Sequence, residues 1–154
     1  MIGFRFAAGA LAIAAVTAAT ACSTANEPTH AQAAATVTAS TRPSESLKPL
    51  FQQALPQVKD ETFTSAIVEL PPNASAQPHR HGQAFVFAYV LEGTVRSKLD
   101  DKPVTTYHQG ENWVEQPGAH HVLTENSSRT EPAKLLVVFV SKTGDQLKVD
   151  DPTS

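Results

Sequence analysis

Four of the six histidines stand in two pairs, and their spacing is the feature of the chain that could do chemistry. His79 and His81 lie in Gln77-Pro78-His79-Arg80-His81-Gly82-Gln83, and His120 and His121 are adjacent in Gly118-Ala119-His120-His121-Val122. On an extended segment residues i and i+2 project from one face about 7 Å apart along the strand, so His79 and His81 can converge on one ion. Neutral imidazole binds Zn, Cu, Fe and Ni, whereas Ca and Mg favour several oxygen ligands. Two histidines beside prolines in a polar loop also fit a solvated surface turn, and it is the second pair that raises metal binding above that reading. Adjacent strand residues face opposite ways, so without a bulge only one of His120 and His121 shares an interior with the first pair. Alternation leaves the choice open, since His121 is in phase with Leu123 and His120 with Val122. Gln83 continues the i+2 series and is a candidate supporting ligand, unless a turn at Gly82 breaks it.

These side chains need strands to hold them. From about Phe51 onward the chain alternates in short runs cut by turn residues: Thr62 to Leu70, then Phe85 to Lys98 interrupted at Glu92-Gly93, Val104 to Tyr107, Trp113 to Glu115, His121 to Glu125 and Leu135 to Ser141. Many short strands at near-regular spacing predict an all-β sandwich or barrel rather than βαβ units. Only Ser44 to Leu55 offers a short helix. In Phe85-Val86-Phe87-Ala88-Tyr89-Val90-Leu91 both alternating sets are apolar, which predicts that both faces are covered. One face lines the interior, and the other calls for cover either by the N-terminal segment or by a second subunit, the latter making a homodimer.

A chain of 154 residues has room for one domain and a leader. Its formal charge of −3, without any Lys/Arg cluster, excludes the electrostatic footprint of nucleic-acid binding. Residues 1–41 carry only two charges, Arg5 and Glu27. Phe6 to Ala21 is an uncharged run behind a basic start, too short for a transmembrane helix, and matches a secretory signal peptide over 1–21. Ala19-Thr20-Ala21-Cys22 ends it at the single cysteine and resembles a bacterial lipobox, with Ala19 where Leu is usual. Cys22 would then carry the lipid of a periplasmic or membrane-anchored lipoprotein. Ordinary cleavage at Ala21 or after Ala31-Gln32-Ala33 would give a secreted chain instead. The expected organisation is a signal peptide at 1–21, a flexible tether at 22–48, a folded domain at 49–145 and a C-terminal tail at 146–154.

His79-Arg80-His81, then Tyr89-Val90-Leu91-Glu92-Gly93, then Gly110-Glu111 and Pro117-Gly118-Ala119-His120-His121 resemble, in order, the two motifs of the cupin superfamily. The resemblance implies a double-stranded β-helix, or jelly-roll barrel, with a divalent metal held inside by two histidines and a carboxylate of the first motif and one histidine of the second. Carried over, His79 and His81 match the first motif, and eleven residues on from Gly110 the second-motif histidine is His121, with His120 a neighbour of the site. Three positions depart: the first-motif glutamate is Val86, the first proline of the second motif is Gln116, and Asn126 comes one residue late. A set of His79, His81 and His121 remains, resembling that of certain iron-dependent dioxygenases, with Fe, Ni, Zn, Cu or Mn as the ion. The resemblance thus implies a dioxygenase-like oxidoreductase acting on a small molecule. The alternative is a non-catalytic cupin module that binds a small ligand or metal. No GxSxG elbow, Walker loop or GxGxxG competes.

Overall fold

The computed structural model describes residues 42–152. The expected signal peptide, Cys22 and the tether as far as residue 41 lie outside the described residues. Ten strands and no helix are found among the described residues: β1 Ser46–Ala54, β2 Glu61–Leu70, β3 His79–Arg80, β4 Phe85–Glu92, β5 Thr94–Leu99, β6 Thr105–His108, β7 Asn112–Glu115, β8 His120–Glu125, β9 Ala133–Lys142 and β10 Val149–Asp150. They form two five-stranded antiparallel sheets, in the orders β1-β2-β9-β4-β7 and β10-β3-β8-β5-β6. This is the all-β double-stranded β-helix that the motifs implied.

Strict alternation builds the core. On β2 the even residues are buried, on β4 Val86, Ala88 and Val90, and on β9 Ala133, Leu135, Val137 and Phe139. Each apolar inner face removes area from water at about 25 cal/mol per Å², and two such faces close on one another. A sheet that hides one face must then show the other, and the outer face here is apolar as well. Across β2, β9 and β4 the register aligns Phe63–Val140–Phe85, Ser65–Val138–Phe87 and Ile67–Leu136–Tyr89, and all nine of these residues are partly or fully exposed.

Two corrections to the sequence reading fall at the ends of the domain. Ser44 to Leu55 is no helix. Ser46–Ala54 is the edge strand β1, antiparallel to β2, so the domain begins inside the stretch assigned to the tether. Every β1 side chain is exposed, so no helical apolar face gains burial there, and backbone pairing with the long strand β2 decides the conformation. Pro49 is tolerated because β1 is an edge, and the register shifts between Pro49 and Phe51. At the other end, part of the stretch read as a tail forms β10 on β3, pairing Val149 with Arg80 and Asp150 with His79.

A bulge in β8 governs its inward positions. Lys98 pairs with Leu123 but Leu99 pairs with His121, so β8 carries an extra residue. The buried residues therefore run His121, Thr124, Asn126 rather than at strict intervals of two. The late position of Asn126 is thereby explained, since the inserted residue restores its inward phase. Its amide nitrogen donates to the carbonyls of Leu70 at 3.0 Å, Pro71 at 3.2 Å and Glu131 at 2.8 Å, and its Oδ1 accepts the Ser128 N–H at 3.0 Å. Asn126→Ala strands these buried groups and is expected to cost roughly 2 to 3 kcal/mol, read as a lower denaturant midpoint at unchanged slope.

Candidate metal centre

The sheet register brings the histidines together. β3 lies antiparallel to β8 with His79 directly opposite His121, and His81 follows two residues after His79 on the same side. All three side chains are buried, at 5%, 9% and 3% exposure. One ring nitrogen from each lies within 4.8 Å of the others. A point equidistant from three atoms so spaced is about 2.8 Å from each, so closing onto an ion at about 2.1 Å takes shifts under about 1 Å.

Each ring is held from behind. His79 Nδ1–H donates to the Gln77 carbonyl at 2.6 Å, and His81 Nδ1–H donates to the Leu147 carbonyl. Both rings thus turn Nε2 inward, the arrangement that fixes the tautomer of metal-binding imidazoles. His121 differs: its Nε2 shares hydrogen bonds with the hydroxyls of Ser97 and Thr124, both at 2.8 Å, which leaves Nδ1 facing inward. Thr124 occupies that position because of the β8 bulge.

The structure adds a residue that the motif comparison passed over. Glu115 on β7 is 3% exposed and stands directly across from Val86 of β4, the position where the family's carboxylate is missing. Its Oε1 accepts the Trp113 Nε1–H at 3.1 Å and lies 3.1 Å from His121 Nδ1. Its Oε2 lies 3.6 Å from His81 Nε2, too far for a hydrogen bond, and is the one buried side-chain polar atom without a partner among the described residues. The signal in the sequence was the alternation of β7 itself: Trp113 and Glu115 share a face, so an inward Trp113 carries Glu115 inward with it.

Other expected residues fall elsewhere. His120 points away from the three histidines and its Nε2 pairs with Asp151 Oδ2 at 2.7 Å; its one-residue offset from His121 puts it on the opposite face of the strand. Gln83 is exposed, because the positive φ of 58° at Gly82 turns the chain and breaks the i+2 series. Neither supports the three-histidine cluster as the sequence reading expected. Ala88 and Trp113 line the cavity. Tyr107 stacks on Trp113, with ring centroids 4.7 Å apart. The cavity itself is about 50 Å³, walled by the three histidines, Glu115, Trp113 and apolar side chains such as Val137 and Phe139. Glu45 and Lys148, joined by a 2.7 Å ion pair, line it as well. Lys148 belongs to the stretch assigned to the tail. Such a volume holds an ion and a few light atoms.

Burial sets the charges. It pushes the His79 imidazole down to about 4 and also lowers His81, against the pull of Glu115. For Glu115 burial acts upward, but the hydrogen bond and charge of His121, with His81 and Trp113, hold it below the usual carboxylate range. At neutral pH the site therefore offers neutral imidazoles at positions 79 and 81 beside an anionic carboxylate, which is the protonation state a cation requires. The donor chemistry, the converging nitrogens and the partnerless Oε2 all fit a divalent transition metal.

The Cupin domain family model matches residues 66–139. Among solved structures, the chain resembles the cupin domain of Schizosaccharomyces pombe Cnp3, with 16% identity and a TM-score of 0.53 over 64% of this chain and 62% of that one. It resembles DMSP lyase DddQ from Ruegeria pomeroyi, with 18% identity and a TM-score of 0.56 over 70% of this chain and 51% of that one. TT1209 from Thermus thermophilus aligns at 25% identity with a TM-score of 0.51, over 62% of this chain and 82% of that one. The chain thus spans less than two thirds of the first two of these relatives. No curated protein matches it. The chain belongs to the cupin superfamily, and the ring nitrogens of His79, His81 and His121 converge inside it.

The buried histidine and carboxylate predict how the metal-free protein responds to acid. The unfolded chain takes up a proton on His79 near pH 6.5, whereas the folded chain does so only near pH 4. Unfolding is therefore favoured increasingly as pH falls through that window, by up to about 3 kcal/mol from this residue. Glu115, held low in the fold, acts in the same direction. Denaturant midpoints of chelator-treated protein should fall steadily from pH 7 to pH 4, and a flat profile would contradict the buried neutral imidazoles.

Proposed function

We propose that this protein is a metal-dependent, dioxygenase-like oxidoreductase that acts on one end of a small molecule. The observation that carries the reading is the convergence of three buried imidazole nitrogens within 4.8 Å in a cavity walled largely by apolar side chains. A bound divalent ion would supply a Lewis acid and positions for substrate oxygen and O₂. The chain's own contribution is positional. His79 and His81 are locked by backbone carbonyls, so their Nε2 atoms stay aimed without rearrangement. Val137, Phe139 and Ala88 keep the approach dry, which strengthens electrostatic interactions inside. A cavity of about 50 Å³ admits a functional group such as an enolate, thiol or diol oxygen and leaves the rest of the substrate outside. In dioxygenation both atoms of O₂ enter the organic product, so no external reductant is needed.

Iron-loaded protein is expected to consume O₂ with a diketone, thiol or catechol, at one O₂ per substrate, and His81→Ala should abolish both metal retention and uptake. Tight metal binding with no turnover across these classes would instead favour the non-catalytic module. Export through residues 1–21, with lipidation at Cys22 or release as a secreted chain, belongs to the same proposal and would put the domain outside the cytoplasm.

We further propose a homodimer. The outer face built on Phe63, Leu136, Val138, Phe87 and Tyr89 is an apolar centre edged by charge, where Lys134 lies 3.7 Å from Glu69 and 3.6 Å from Glu92. An apolar centre with a charged edge is the anatomy of a subunit interface. Light scattering is expected to give twice the chain mass for the native protein and the single mass for Val138→Asp, with unchanged circular dichroism. A monomeric native protein would contradict this.

A further inference from the structure

The partnerless oxygen of Glu115 has a geometric explanation. Atoms bound to one ion at about 2.1 Å lie about 3.0 Å apart at right angles and about 3.4 Å apart in a tetrahedron. Glu115 Oε1 is 3.1 Å from His121 Nδ1, and Oε2 is 3.6 Å from His81 Nε2. The carboxylate therefore stands beside two inward ring nitrogens, one pair within the spacing of shared ligands and the other just beyond it, and one of its oxygens is matched by no donor of the protein. Across the β4–β7 pair, Val86 and Glu115 occupy facing positions and both are buried.

Given the metal centre proposed above, we infer that Glu115 is its fourth protein ligand, so that the carboxylate is delivered from β7 rather than from position 86 of β4. The same geometry makes His121 bind through Nδ1, because Ser97 and Thr124 hold its Nε2. The site then has three nitrogens and one carboxylate oxygen, with mixed ring-nitrogen usage. The ion's charge is halved by Glu115, and Trp113 Nε1–H steadies Oε1 from behind. Truncation to a three-histidine set has not occurred; the acidic ligand has moved one strand over.

Calorimetric titration of the full chelator-treated chain with Zn²⁺ at pH 7.5 separates the possibilities. Native protein is expected to bind one equivalent. Glu115→Gln, which keeps the shape and can still accept the Trp113 N–H, should bind at least about 30-fold more weakly, as should Glu115→Val. The double variant Val86→Glu/Glu115→Val puts a carboxylate back on the facing strand and should recover to within about tenfold of native. A residue that merely hydrogen-bonded His121 and Trp113 would not be replaced in this way. Thermal unfolding of each metal-free variant checks that it folds. If His81→Ala abolishes binding while Glu115→Gln binds like native protein, the centre stands and the Glu115 assignment falls. A double variant no tighter than Glu115→Val also overturns the assignment. Native protein that binds no Zn²⁺ overturns the centre and Glu115 together.

Discussion

An ionised carboxylate enclosed by apolar side chains, with one oxygen lacking a donor, is costly unless something of opposite charge shares its space. Glu115 is in that position, 3% exposed: His121 and Trp113 lie against Oε1 and hold the carboxylate low, while Oε2 is left without a donor. Burial drives His79 and His81 toward neutrality, with Glu115 pulling His81 the other way. Three imidazoles whose ring nitrogens lie within 4.8 Å of one another, two of them beside this carboxylate, form a set that a cation would satisfy together. That requirement makes sense of features that otherwise look unrelated: the carbonyls behind two rings, the hydroxyls behind the third, and the small size of the cavity.

The rest of the fold keeps those groups in register. The bulge in β8 lets His121 and Thr124 both face inward, and Thr124 then fixes the ring of its neighbour. Pairing of β3 with β8 sets His79 against His121, and the C-terminal stretch closes over His81 through the Leu147 carbonyl. Asp151 hydrogen-bonds His120, while Lys148 pairs with Glu45 and Asp150. The short strand β10 pairs Asp150 with His79, and Leu147, just before it, supplies the carbonyl behind His81.

The sheets and the histidine triad were legible because they rest on local signals. Alternation and turn residues located nearly every strand, and two ordered motifs selected His121 over His120 before any geometry was known. Features that escaped depend on contacts distant in sequence. Ser46–Ala54 is a strand because β2 lies beside it, and its own composition favours nothing strongly. Leu147 and Lys148 meet the site only once β10 pairs with β3. Glu115 lay outside the motif template, and its relation to Val86 is a cross-strand register that becomes visible when β4 and β7 pair. Gln83 failed for a local reason, the left-handed turn at Gly82, which the sequence reading had identified as the condition for losing it.

The most direct measurement is anomalous X-ray scattering at the metal edge from crystals grown with Zn²⁺ or Fe²⁺. The account predicts a single peak about 2.0 to 2.2 Å from His79 Nε2, His81 Nε2, His121 Nδ1 and a Glu115 carboxylate oxygen. An interior without a peak, or a peak bound by only one of the three histidines, would contradict it.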